Sequence, residues 1–156
     1  MKNNTYFEGM KKAICEWNKA YNERNARKEE IIKTCGWDSD EMKAWNKENE
    51  AAKYPYESGA SKAYHAWMDS VRFDEDELEM NDFLWEREVH DFVETLRAAG
   101  LKSFVYTNSS SAVMENIHAL VAEGCKLDSL CVATRKDNSY GSGTETVMPG
   151  IRFSLD

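Results

Sequence analysis

Two groups of residues in this 156-residue chain have the types and spacing that chemistry needs. The junction Tyr106-Thr107-Asn108-Ser109-Ser110-Ser111 leaves an apolar run and enters a helical pattern. The first N–H groups of a helix lack internal partners, so Thr107, Asn108, Ser109 and Ser110 are placed to hold a phosphate or carboxylate. Ser and Asn are equally the preferred helix caps, and neither G-x-G-x-x-G nor G-x-x-x-x-G-K occurs. Glu86, His90 and Glu94 recur at four-residue steps beside Asp91, so they fall on one side of a helix and could converge on a cation. A metal would need further ligands from His65 or His118, and Glu to His at i,i+4 is ordinary pairing on a wet helix face. No metal and no cofactor is expected.

Other catalytic arrangements find less support. Ser109–Ser111 lack the G-x-S-x-G setting, and none of Cys15, Cys35, Cys125 and Cys131 has a histidine close in sequence. The cysteines contain no C-x-x-C pair of the kind structural zinc uses and are read as reduced thiols. Carboxylates abound at Asp74, Glu75, Asp76, Glu77 and Glu79, but in a solvated run they would lack the raised pKa of a general acid. An enzyme is therefore the less favoured reading.

Charge is distributed unevenly. Residues 37–94 hold 17 Asp/Glu against 6 Lys/Arg, whereas residues 1–36 hold 5 against 8 and residues 95–156 hold 6 of each. Such a block repels nucleic acid and attracts basic surfaces. If helices at 38–50, 58–72 and 82–94 present their carboxylates together, they would imitate the phosphate charge of a duplex. The basic residues Lys19, Arg24, Arg27, Lys28 and Lys33 are interleaved with Glu16, Glu23, Glu29 and Glu30, which reads as a salt-bridged helix surface rather than a nucleic-acid site.

The elements that must position these groups follow from periodicity. Phe7, Met10, Ile14, Trp17 and Tyr21 alternate spacings of three and four, which predicts a long helix or helical hairpin from about residue 4 to 34, stopped at Gly36. That stripe is either core or the seam of a homodimer. Met42 and Trp45 mark a short second helix; Ala60, Ala63, Tyr64, Trp67, Met68 and Val71 mark a third. Trp85, Val89, Phe92 and Leu96 form a helical stripe ending at Gly100, followed by a strand at Phe104–Tyr106, a helix over 112–123 stopped at Gly124, and a strand at Leu130–Thr134. A turn at Asn138–Gly143 and a closing strand with Ile151, Phe153 and Leu155 alternating inward complete the chain.

The expected architecture is α+β: about three N-terminal helices, then an α-β-α-β-β unit with a small three-stranded mixed sheet. The strands flanking the 112–123 helix would be parallel, the last two an antiparallel hairpin. The expected division is a helical region 1–80, with an acidic linker near 73–80, and a small α/β unit 81–156, together one compact domain. No window reaches a membrane span and MKNNTYFEGMKK lacks the apolar stretch of a signal peptide, so a cytoplasmic protein without membrane contact is expected.

The opening MKNNTYFEGMKKAICEWNKAYNERNARKEEIIKTCGWDSDEMKAW and the later FLWEREVHDFVETLRAAGLKSFVYTNSS and AVMENIHALVAEGC resemble a family of small, functionally uncharacterised acidic accessory proteins. These are carried by conjugative elements and related mobile DNA in gut Firmicutes. The resemblance implies a role in the element's traffic with its host, and acidic accessory proteins of such elements include inhibitors of restriction and CRISPR nucleases. The leading expectation is a non-enzymatic binding protein, an inhibitor or nucleic-acid mimic acting on a basic surface of a host DNA-targeting nuclease through Asp74, Glu75, Asp76, Glu77 and Glu79. One alternative is a small α+β module, an enzyme or a simple binder, that takes a phosphate-bearing ligand at Thr107–Ser111. The other is a structural or regulatory dimer joined through Phe7, Met10, Ile14, Trp17 and Tyr21.

Overall fold

The computed structural model describes residues 1–108, 110–137 and 144–156. In chain order the elements are α1 (Thr5–Cys35), α2 (Asp40–Asn49), α3 (Ser58–Arg72), β1 (Glu79–Met80), α4 (Glu86–Ala98), β2 (Ser103–Tyr106), α5 (Val113–Ala122), β3 (Lys126–Asp137) and β4 (Thr144–Ser154). The fold is α+β, with the three N-terminal helices and the α-β-α-β-β succession that the periodicity predicts. The turn expected at Asn138–Gly143 lies outside the described residues.

The chain forms two compact units, one of residues 1–8 and 56–156 and the other of residues 9–55. The larger unit holds the sheet, ordered β1-β2-β4-β3. It has four strands where three were expected. The addition is β1, which pairs parallel with β2 inside the predicted acidic linker. Leu78 and Met80 are buried, and their carbonyls accept from Val105 N and Thr107 N, both at 2.8 Å. The alternation Glu77-Leu78-Glu79-Met80 is strand periodicity, but two apolar residues among so many carboxylates form too short a signal to stand out. The strands flanking α5 do run parallel, yet they are not neighbours: β4 lies between β2 and β3 and is antiparallel to both.

Register assigns the two sheet faces. Phe104 pairs with Phe153 and Tyr106 with Ile151 on one face; Val105 pairs with Arg152 on the other. The first face carries the core: Phe104 stacks on Phe153 at 5.5 Å, and Phe92 of α4 meets Phe104 edge-on at 5.5 Å. Val89, Phe92, Val93 and Leu96 of α4 are all buried. Trp85, expected in the same stripe, is instead exposed, because it stands at the N-cap before the helical register begins. Gly100 ends α4 with φ 74°, and the N–H groups of Gly100 and Leu101 return to the Arg97 and Leu96 carbonyls; Gly124 repeats the motif after α5.

Helix α3 packs against α4, and Gly59 explains how closely. A Cβ at this position would overlap the Glu88 carbonyl and lie 2.9 Å from Phe92 N, so only glycine lets the two backbones approach. At the chain's start Phe7 stacks on Trp67 at 5.2 Å, whose indole N–H donates to the Met1 carbonyl at 3.1 Å.

In the smaller unit, Ser39 caps α2 by accepting from Met42 N at 3.1 Å. Trp17 stacks on Tyr21 and meets Tyr54 edge-on, and its indole N–H donates to the Lys53 carbonyl at 2.9 Å. The stripe of α1 is largely core. Phe7, Met10 and Ile14 are buried, Trp17 is half-buried and Tyr21 is exposed.

Candidate functional site

Each carboxylate of the acidic stretch has a definite structural place. Asp74 follows the end of α3 at φ 62°, where it acts as a left-handed helix stop, with Glu75 N donating back to the Ser70 carbonyl at 2.9 Å. Its carboxylate pairs with Lys2. Asp76 is exposed. Glu77 is held from the neighbouring sheet face by Arg152, whose Nη2 and Nε donate to Oε2 at 2.6 and 2.9 Å, while Ser103 Oγ donates to Oε1 at 3.0 Å. The Arg152 hydrogen bond outweighs partial burial and holds the Glu77 carboxyl below its ordinary range. Glu79 belongs to β1, its N–H donating to Ser70 Oγ at 2.9 Å. The segment is thus a strap fixed to the sheet rather than a solvated run.

Between α3 and this strap, Lys62, His65, Ala66, Asp69, Met80, Asn81 and Asp82 line a cavity of about 240 Å³. A shallow depression shares Asp69 and Asn81 with it and continues to Glu75 and Glu79. Four carboxylates therefore border one concavity, from Asp69 on α3 to Asp82 beyond β1. Lys62, the cation at its end, also serves the interior: its Nζ bonds to Glu88 Oε2 at 2.9 Å and to the Phe83 carbonyl. Burial pushes the Glu88 carboxyl up, but hydrogen bonds from Lys62, Ser58 and Trp85 N more than offset this and leave it below its ordinary range.

The strand-to-helix junction is tied inward. Thr107 is buried, and Asn108 Oδ1 accepts from Ser110 N at 2.7 Å while its amide donates to Tyr106 Oη at 3.0 Å. Tyr106 Oη in turn donates to Asn116 Oδ1 at 2.6 Å, and burial raises its pKa. Asn116, buried in α5, clasps Leu84 by accepting from its N–H at 3.0 Å and donating to its carbonyl at 2.6 Å. Ser110 is exposed; Ser109 lies outside the described residues. Ala112 stands at the helix N-cap without a side-chain bond, so neither Ser110 nor Ser111 occupies the cap of α5.

Glu86, His90 and Glu94 do not converge on a cation. His90 Nδ1 pairs with Glu123 at 3.0 Å, which raises the imidazole's pKa, and Glu94 pairs with Arg97 at 2.9 Å. Among the described residues no cluster of three or more His, Cys, Asp or Glu could hold a metal. All four cysteines are free; burial raises Cys131 and pushes the Cys125 thiol up to about 11, the wrong direction for a nucleophile. In the smaller unit Arg24 lies over Trp17 and Lys28 over Trp37 and Trp45, so two members of the basic cluster cover aromatic rings.

The sequence reading missed Lys62, Glu88, Asn116 and Arg152. Glu88 alone had a local signal: it lies three residues beyond the N-cap, where a carboxylate returns to the cap N–H. The partners of the others lie between 10 and 75 residues away in sequence.

The family model described as a domain of unknown function (DUF7698) matches residues 62–155, more than half of the chain. The chain belongs to this family. The matched span lies within the larger unit and contains the Glu77–Arg152 pair, the Lys62–Glu88 pair and the Asn116 clasp. No curated protein and no solved structure matches the chain. Among the described residues no helix is long and apolar enough to cross a membrane.

Proposed function

We propose that the protein is a non-enzymatic binding module whose larger unit docks on a basic surface of a partner protein. The observation that carries this reading is the α3–β1 concavity bordered by Asp69, Glu75, Glu79 and Asp82. The unit around it holds 19 Asp/Glu against 10 Lys/Arg, a balance of −9, whereas residues 9–55 hold 9 against 10. Carboxylates around a concavity attract Lys and Arg side chains and steer their approach from a distance. The acidic block of residues 37–94 divides between the two units, so the proposed contact is narrower than the whole block.

On the resemblance to mobile-element accessory proteins, the basic partner is a nucleic-acid-handling protein, a host DNA-targeting nuclease, whose nucleic-acid channel the acidic surface occupies. The test is affinity capture from a natural host at low and then high salt, with wild type beside an Asp76→Lys/Asp82→Lys variant. The result expected is capture of a basic nucleic-acid-handling protein, lost at high salt and in the variant while the melting temperature holds. Capture indifferent to both salt and variant overturns the reading, as does the absence of any captured partner.

A further inference from the structure

The smaller unit is built with little interior. Among residues 9–55 only Met10, Ile14 and Met42 are buried, whereas α4 alone buries Val89, Phe92, Val93 and Leu96 within 13 residues. Met42 is the one buried side chain of α2, and an open cleft of about 700 Å³ is lined by Arg27 and Ile31 of α1 and by Glu41, Ala44, Trp45 and Glu48 of α2. A helix of 10 residues is marginal by itself in water, so α2 persists through its docking.

Charge pairing does not supply that docking. Asp40, Glu41, Lys43, Lys47 and Glu48 make no ion pair with α1; only Lys43 and Asp40 pair, with each other, at 3.4 Å. Beyond Met42, Lys28 of α1 supplies it. Its Nζ lies over two rings, 5.8 Å from the centroid of Trp37 and 5.4 Å from that of Trp45, so one ammonium holds a residue before α2 and a residue within it. Among the described residues no carboxylate pairs with Lys28 and competes with the rings. The two ends of the segment are fixed independently. Gly36 turns the chain at φ 89°, and past α2 the Trp17 indole N–H donates to the Lys53 carbonyl at 2.9 Å. A segment with so few buried apolar groups between fixed ends opens at a fraction of the free energy of global unfolding.

We infer that residues 37–50 form a flap that opens by local unfolding, with Lys28 as its latch. Opening turns Met42 and Trp45 to solvent while the Gly36 turn and the Trp17–Lys53 bond stay in place. The surface that this unit presents is thereby set by one positive charge: neutralising Lys28 releases the flap, and a guanidinium in its place retains it. The flap belongs to a different unit from the α3–β1 concavity and lies outside the span matched by the family model, so the inference stands independently of the function proposed above.

Native-state hydrogen exchange on the full chain, followed amide by amide by NMR, tests it. In the wild type the amides of residues 45–49 in α2 are expected to exchange roughly 100-fold faster than those of residues 92–96 in α4, yet more slowly than in an unstructured peptide. Lys28→Gln should quicken exchange in α2 by roughly a further tenfold and leave α4 unchanged, and Lys28→Arg should stay close to wild type. Exchange in α2 as slow as in α4, or as fast as in an unstructured peptide, overturns the inference. So does a Lys28→Gln variant in which α2 is unaffected or α4 quickens equally, or a Lys28→Arg variant that behaves as Lys28→Gln does.

Discussion

Arg152 and Glu77 are joined through both Nη2 and Nε of the guanidinium, at 2.6 and 2.9 Å from one carboxylate oxygen, across 75 residues of sequence. The pair ties the acidic strap to the central strand β4. Both side chains keep about a third of their surface exposed, so solvent screening limits the pair to about 1 kcal/mol. Glu77→Ala should lower stability by that amount, and charge reversal at Glu77 should also loosen the strap. The folded carboxyl titrates below the ordinary range of a glutamate, so its contribution is complete above that range and is lost as pH falls through the folded pKa. Urea unfolding between about pH 3 and pH 7 should show a flatter acid limb in Glu77→Gln than in wild type.

Asp74 occupies left-handed backbone that glycine adopts without a Cβ penalty. Its pair with Lys2 is exposed on both sides and contributes little. Asp74→Gly should therefore raise stability, by about 0.5 kcal/mol, as read by thermal melting. A fall in melting temperature would show that the carboxylate matters more than the backbone.

Gly59 is the point where α3 and α4 come closest. Gly59→Ala forces a methyl group into the Glu88 carbonyl and should destabilise by about 3 kcal/mol, measured by chemical denaturation. The neighbouring Glu88→Ala removes the acceptor of Trp85 N and of Ser58 Oγ and the closest carboxylate of Lys62, and should lose about 2 kcal/mol.

Asn116 satisfies both backbone groups of Leu84 and the Tyr106 hydroxyl from a buried position. Asn116→Ala should cost about 2–3 kcal/mol, because the Leu84 N–H and carbonyl lose their partners inside the protein. Tyr106→Phe removes only the hydroxyl and should cost about 1 kcal/mol. Hydrogen exchange at the Ser110 amide should quicken in both variants if the clasp orders the junction as well.

The amino-acid sequence by itself determined the helices and their ends. Stripes such as Phe7, Met10 and Ile14, or Val89, Phe92 and Leu96, repeat over many residues, and Gly100 and Gly124 sit where left-handed caps are needed. It also determined the hairpin of β3 and β4 and the uneven charge, because these depend on residues near one another in the chain. Only the tertiary structure decided what the acidic stretch does. A run of carboxylates reads as solvated until Arg152, 75 residues later, is brought beside Glu77 and Leu78 and Met80 are buried against β2. The same holds for the junction after β2, whose polar side chains look available in sequence, yet Thr107 is buried and Asn108 is tied to the Tyr106 hydroxyl. Sheet order is likewise non-local: β4, the last strand, inserts between β2 and β3 and leaves β3 as the long open edge. Pairing between distant segments depends on the whole core's packing, which no local spacing records.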